Sequence, residues 1–534
     1  MRHLQFCFIT IAFLGLSLSS HTQATIPRLA LLDVQHYTFR LELSDKTDQI
    51  SASATIRIRF LQPISSFSLD LVKQGEDGKG MNVLSVREGE TAVDYRHKGE
   101  ALTLFLEPAA QAGEERTFQI IYQGVPADGL IISRNTYEER TFFGDNWPNR
   151  AHHWLPCVDH PSDKASVDFI VTAPDHYQVV ANGFQVEETN LDDETKLTHW
   201  RETVPLPMKV AVIGAARFGV QLAGEVDGVP VTSWVYHQDR EAGFYDYALA
   251  VEVLRFFADY IGPYPYRKLA NVQSKTRYGG MENASNIFYY ENSVTGDRSE
   301  EALIAHEIAH QWFGNSASEQ NWFHIWLSEG FATYGADLYM ENKYGRDKLV
   351  GRLQSERQQV VAFAARKMAP IVDTTIADWN ALLNPNSYQK GAWVLHMLRR
   401  QVGEQAFWNG LRQYYALFRG GNALTEDFQR TMESVSKQDL SQFFRQWVFH
   451  PGQPQLQVEW EKPRRRRLKF KIRQIQEGPA FHFPLDIQAI GADGSTSKTW
   501  TIEVDEKTEE ATVKCKFRPG QIILDPDTWL LFSK

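Results

Sequence analysis

Apolar and polar residues alternate along the first third of the chain. In Tyr37-Thr38-Phe39-Arg40-Leu41-Glu42-Leu43 every second residue is apolar, and 54–60 and 101–106 repeat the pattern. This is the period of a strand with one face on a core and the other in water. Segments 166–171 and 208–213 continue it, and turn-forming clusters at 75–80 and 190–194 separate the runs. The pattern predicts an all-β domain over 25–218.

From about residue 219 the period lengthens to that of a helix. Apolar spacing predicts helices over 244–261, 327–344, 348–367, 386–402, 404–418, 425–436 and 440–449. Another is expected to run from about 300 to Gly314, with Ser299 or Asp297 as its N-cap and Glu300 and Glu301 complementing its first turn. Asn271-Val272-Gln273 reads as strand. A mostly helical domain is expected over 219–450. Pro451-Gly452-Gln453-Pro454 then marks a linker, and alternation resumes at Leu456, which predicts a small β-sandwich over 451–534. The four arginines at 464–467 feed Leu468-Lys469-Phe470-Lys471-Ile472-Arg473, so they read as the wet side of a half-buried strand rather than a basic docking patch. The fold class is therefore multi-domain α+β.

Composition changes this picture in two places. A formal charge of −10 argues against nucleic acid as the main partner. At the N-terminus, Arg2 and His3 precede an apolar run over 4–18 and small residues at Thr22-Gln23-Ala24. That is the form of a signal peptide cleaved after Ala24, which implies a periplasmic or secreted protein. An uncleaved membrane anchor is the alternative. Cys7 falls in that leader, and Cys157 and Cys515 read as buried thiols.

The chemistry is concentrated in His306-Glu307-Ile308-Ala309-His310. Four positions apart on a helix, the two imidazoles share one face and suit two corners of a zinc tetrahedron, and Glu307 is placed to act as general base on water. Catalytic zinc takes a third protein ligand. Glu329, in the apolar stretch Trp326-Leu327-Ser328-Glu329-Gly330-Phe331-Ala332, is the candidate, because a buried carboxylate needs a cationic partner. One zinc ion per chain is expected.

His306 to Asn315, the Glu329 stretch and Gly279-Gly280-Met281-Glu282-Asn283 together resemble the aminopeptidase N and leukotriene hydrolase family of zinc metallopeptidases. The domain order is similar too, with the helical part being thermolysin-like. Larger members add a C-terminal helical domain, which is not expected here. The resemblance implies that Glu282, on the loop of Gly279, Gly280 and Met281, binds a substrate's free α-ammonium. It implies that Tyr388, in Tyr388-Gln389-Lys390-Gly391-Ala392, stabilises the oxyanion. It offers Asp145, before Arg150 and Pro156-Cys157, as a second amine contact. Gly280 stands where many members have Ala, and members with Gly there accept basic N-terminal residues. His152 and His153, being adjacent, point apart and read as packing residues. The expected activity is removal of N-terminal residues from peptides. A thermolysin-like endopeptidase, an epoxide hydrolase of the leukotriene type and an inactive binding protein are the alternatives.

Overall fold

The computed structural model describes residues 29–192, 194–464 and 466–534. The expected leader, 1–24, lies outside the described residues. Among the described residues, no helix is long and apolar enough to cross a membrane.

An eight-stranded sheet forms the body of the N-terminal region. At its middle, Leu32–Glu42 pairs antiparallel with Ile50–Phe60 and parallel with Lys164–Pro174. In Ile50–Phe60 the residues Ile50, Ala52, Ala54, Ile56, Ile58 and Phe60 are buried, whereas Ser51, Arg57 and Arg59 are exposed. That alternation turns one face to a core shared with Phe67, Leu69, Leu102 and Leu104 of a three-stranded sheet. A four-stranded sheet, including Arg140–Gly144 and Ile213–Ala216, completes the region.

The segment 208–213 is not the strand its alternation predicts. Met208–Val210 is a 3-10 turn, and residues 208–212 are all buried. Side-chain amides take up its carbonyls beside the backbone N–H groups of Ala211 and Ala284, with no neighbouring strand. Asn146 Nδ2 donates to Met208 O and Ala211 O, and Asn182 Nδ2 donates to Val210 O. The turn sends Lys209 into the helical region, where its Nζ lies 2.6 Å from Glu319 Oε1. Lys164 Nζ crosses the same boundary to the carbonyls of Asn315, Ser316 and Gly421. Lys209 and Glu319 are both fully buried. Replacing Lys209 with Met leaves an unpaired buried carboxylate, with an expected loss of about 3–5 kcal/mol. Thermal and urea unfolding measure it, and adding Glu319→Gln is expected to restore most of the loss.

A five-stranded sheet opens the helical region, in the order Phe218–Val226, Val229–Tyr236, Leu269–Ser274, Asn286–Tyr290, Gly280–Met281. All six residues of Leu269–Ser274 are buried, and the strand pairs in parallel with both neighbours. A strand buried on both faces has no alternation to read, and the sequence shows it only as a short piece at 271–273. The helices follow: α1 (Arg240–Tyr247), α2 (Leu249–Tyr260), α3 (Glu301–Ala309), α4 (Trp326–Tyr344), α5 (Arg346–Ala364) and α6 (Gly391–Val402). The expected helix over 244–261 is thus two helices, and the one expected over 386–402 starts with a π-helical turn, Asn386–Lys390. α3 is shorter than expected. Its N-cap is Glu300, while Asp297 Oδ1 instead accepts from Thr295 Oγ1 and the Ser299 N–H.

Glycines set how closely the helices approach. A Cβ on Gly335 of α4 would come within 2.9 Å of Ala309 Cβ, and one on Gly330 within 2.9 Å of Gly391 Cα. The first contact draws α3 against α4. The second draws the start of α6 against the turn of α4 that carries Glu329.

Beyond residue 450, two three-stranded antiparallel sheets contribute Leu468, Phe470, Ile472, Leu485 and Ile487 to the core that also holds the helices. Within the arginine run, Arg464 and Arg467 pair across the ends of two adjacent strands. Cys157 and Cys515 are buried thiols.

Candidate metal centre and substrate cavity

His306 and His310 leave the last turn of α3 on one face, four residues apart, and Glu329 enters from the first turn of α4. His306 Nε2 and His310 Nε2 lie 3.1 Å apart. Glu329 Oε2 is 3.5 Å from the former and 3.3 Å from the latter. The edge of a zinc tetrahedron with ligand bonds near 2.0–2.1 Å is about 3.3 Å. The three donors therefore already stand at the spacing the ion requires.

The second imidazole is held in the right tautomer. His310 Nδ1 is 3.2 Å from Phe313 O and 3.0 Å from Ser328 Oγ. With the proton on Nδ1, donated to that carbonyl, the Nε2 lone pair faces the site. Gly314 makes this possible. It sits at φ +119°, and a Cβ there would come within 2.1 Å of Ser328 Oγ. The chain turns away in the left-handed region, as Gly permits.

The charges are mutually adjusted. Burial alone would lower the His310 pKa, but Glu329, Glu282 and Glu307 around it push it up to about 9. Burial opposes ionisation of Glu329, yet His310 and His306 beside it hold its carboxyl far below the usual range. Burial raises the carboxyl of Glu307 well above its ordinary value, with Glu282 and Glu329 adding to the effect and His310 opposing it.

Glu282 is brought in by the edge strand of the five-stranded sheet. Gly280 and Met281 pair with Tyr289 and Phe288, and the chain then delivers Glu282 beside Glu307 and His310, with carboxylate and imidazole atoms of the three within 4.8 Å of one another. Glu282 Oε1 is buried and has no hydrogen-bond partner. Its backbone carbonyl accepts from Gln311 Nε2 at 2.9 Å and Asn315 Nδ2 at 2.6 Å. These two residues, which sequence reasoning missed as site residues, tie the loop to the end of α3. Their signal was two amides in the apolar run Gln311-Trp312-Phe313-Gly314-Asn315. The loop lies hard against Glu307, since a Cβ on Gly280 would fall 2.3 Å from its Oε1.

Tyr388 sits in the π-helical turn ahead of α6, its ring stacked on that of His306 with centroids 6.0 Å apart. Burial, followed by the nearby Glu329, Glu282 and Glu307, pushes its hydroxyl pKa well above 10, so the phenol keeps its proton.

A cavity of about 550 Å³ joins these groups. Gly279, Gly280, Met281, Glu282, His306, Glu307, His310, Glu329 and Tyr388 all line it, together with Trp147 and Tyr278. Asp145 does not, which corrects its expected role. Its Oδ1 accepts from Arg150 Nη2 at 2.8 Å and its Oδ2 from the Arg277 N–H at 3.1 Å, so both oxygens are engaged in a fully buried position. Trp147, two residues on, faces the cavity instead. His152 is also away from the cavity, with Nδ1 2.7 Å from Asp159 Oδ2.

Two family models match the chain, the Peptidase M1 N-terminal domain over 33–208 and the Peptidase family M1 domain over 245–447. Glutamyl aminopeptidase of Sus scrofa is 27% identical, over 59% of this chain and 35% of its own length. Probable aminopeptidase 2 of Sulfurisphaera tokodaii is 24% identical, over 78% and 55%. Leukotriene A-4 hydrolase of Xenopus laevis is 25% identical, over 80% and 73%. The chain thus spans about a third to a half of the length of the first two. Among solved structures, a two-domain M1 zinc metallopeptidase bound to L-arginine superposes with a TM-score of 0.67 at 23% identity, covering 78% of this chain and 94% of that one. The M1 zinc metallopeptidase of Deinococcus radiodurans gives 0.65 at 24% identity, over 78% and 93%. With both domain models matched in order, and the His-His-Glu donor set in the second, the chain belongs to peptidase family M1.

Proposed function

We propose that this chain is a zinc-dependent aminopeptidase that removes N-terminal residues from peptides. The observation that carries this is Glu282. A buried carboxylate with one unpartnered oxygen, beside the metal donors, is a receptor for a cation about one residue from the cut. An endopeptidase needs no such group, and a lipid epoxide gives it nothing to bind.

His306, His310 and Glu329 would hold the zinc. When bound, the ion supplies Lewis acidity toward the scissile carbonyl and makes water acidic enough to attack near neutral pH. The protein does the rest. Glu282 holds the substrate ammonium and so fixes the register. Glu307 accepts the proton of the attacking water on a carboxylate oxygen and passes it to the departing amine. The Tyr388 hydroxyl donates a hydrogen bond to the negative charge developing on the carbonyl oxygen.

We read 25–218, 219–450 and 451–534 as the three units of the chain, the second thermolysin-like and the third a β-sandwich. We read the protein as exported, on the form of its first 24 residues. Substrates are peptides with a free N-terminus.

The test is a panel of aminoacyl arylamides beside their N-acetylated counterparts, with and without a chelator. Free-amine substrates are expected to be cleaved, blocked ones spared and the chelator to stop turnover. Cleavage of blocked substrates at a similar rate overturns the aminopeptidase, and chelator-resistant turnover overturns the zinc. Glu282→Ala is expected to cut the preference for a free amine about 10–100-fold, the worth of one charged hydrogen bond.

A further inference from the structure

The expectation that the arginine run is the wet side of a half-buried strand holds along most of that strand and fails at one end. Arg467–Gln474 is the middle strand of the sheet it forms with Leu456–Arg464 and Thr508–Lys514. Its outward face carries Arg467, Lys469, Lys471 and Arg473, and Leu468, Phe470 and Ile472 are buried beneath. The register decides what each cation meets. Lys471 stands between Glu459 and Glu510, and Lys469 between Glu461 and Thr512. Arg473 reaches Glu459 diagonally, with Nη1 2.7 Å from Oε1. Opposite charges abreast are the stabilising arrangement on a sheet, and like charges abreast are not. The last row reverses the rule. Arg467 stands between Arg464 and Lys514, three basic residues in line.

More cations gather at this end from segments far apart in sequence. Cys515 N–H donates to Arg466 O, which lays the turn of Arg466 beside Lys514-Cys515-Lys516-Phe517-Arg518. Arg466, Arg467, Lys514, Lys516 and Arg518 are all exposed, and none pairs with a carboxylate among the described residues. Asp493 is nearby, since Ala492 N–H donates to Arg518 O, but its oxygens are engaged by Ser495 N–H and Oγ. Arg466 has φ +63°, a left-handed position that Gly or Asn takes at lower cost. Neither strand pairing nor turn chemistry accounts for five mutually repelling cations in a chain of formal charge −10. An external anion does.

We propose that this end of the C-terminal sheets is a docking surface for an anionic phospholipid membrane, on which the protein sits peripherally. Screening confines each charge to about 8–10 Å at physiological salt. A planar surface that meets the tip therefore feels the cations and not the acidic remainder of the chain. A nucleic acid needs a longer cationic path. Along this sheet the path ends within one row, at Glu461 and then at Glu459 and Glu510. None of the five cations lines the substrate cavity, so the inference stands independently of the aminopeptidase reading.

The test sediments the full-length protein with vesicles of phosphatidylcholine, with or without about one-third phosphatidylglycerol. Each basic residue near an anionic surface is worth about fivefold in binding. Partition onto the mixed vesicles is expected to exceed that onto phosphatidylcholine by about 10²-fold at low salt. It is expected to vanish near 1 M salt, where the screening length is about 3 Å. Arg467→Gln with Lys514→Gln is expected to lose about 25-fold. This variant should melt at or above the wild-type temperature, because a row of like charges is relieved. Lys46→Gln with Lys73→Gln removes the same charge from exposed positions of the N-terminal region and is expected to bind as wild type. All comparisons keep the apolar N-terminal run, so its contribution is common to them. Equal partition onto both vesicle types overturns the proposal, as does an equal loss from the two variant pairs. A DNA duplex that strips the protein from mixed vesicles at matched phosphate assigns this end to nucleic acid and also overturns it.

Discussion

Glu307→Gln is expected to lower kcat by about 10³-fold or more while the protein keeps one zinc ion per chain. General acid–base catalysis by one positioned side chain is worth about 10²–10⁴-fold, and in the proposed reaction one carboxylate both takes and returns the proton. The amide is nearly isosteric and keeps Gly280 and the edge strand in place, which matters because Gly280 packs directly on this side chain. The three metal donors, His306, His310 and Glu329, are untouched. Steady-state turnover of an alanyl arylamide and metal analysis of the same sample measure the two halves of the prediction. Activity within tenfold of wild type removes Glu307 as the base. Loss of zinc shows instead that Glu307 holds the metal, in the alternative grouping with Glu282 and His310 whose atoms also lie within 4.8 Å.

How far the site could be read from the chain follows from how local each part is. His306, Glu307 and His310 are fixed by helical geometry over five residues, and Glu329 by a carboxylate stranded in an apolar stretch, so their convergence was legible. Glu282 was legible only through resemblance, because a strand edge and two distant amides place it, and no spacing rule connects them. Asp145 misled for the converse reason. Nothing near it in the sequence shows that the Arg277 backbone, 132 positions on, will occupy its second oxygen. The part α5 takes in lining the cavity was hidden by its ordinary appearance. Arg352 and Glu356 stand four apart, like any solvent-facing ion pair on a helix, and only the fold shows that Arg352 turns to Asp337. The strands at 37–43 and 54–60 announced themselves because one face is wet. The five-stranded sheet beneath the site did not, because strands such as Leu269–Ser274 are buried throughout.

Tyr388→Phe isolates the other half of the chemistry. The substitution removes a single oxygen and keeps the ring on His306. In the proposed reaction its hydroxyl is unlike the groups that bind the substrate, because it acts only as negative charge grows on the carbonyl oxygen. Removing one preorganised donor of this kind costs about 10²–10³ in kcat. KM is expected to change by less than about threefold, since a group that acts only in the transition state leaves ground-state binding alone. The distinction from Glu282→Ala is then sharp, as that change acts on recognition of the free amine. A further check uses the proton itself. Burial and three surrounding carboxylates hold the phenol protonated well beyond pH 10. The wild-type rate should therefore show no alkaline limb from this group below that pH, and the Phe variant should lose rate uniformly across the profile. Measuring kcat and KM for both enzymes from pH 6 to 10 tests this. A Phe variant whose deficit disappears at either end of the range assigns Tyr388 to proton transfer, and one whose KM alone rises assigns it to binding.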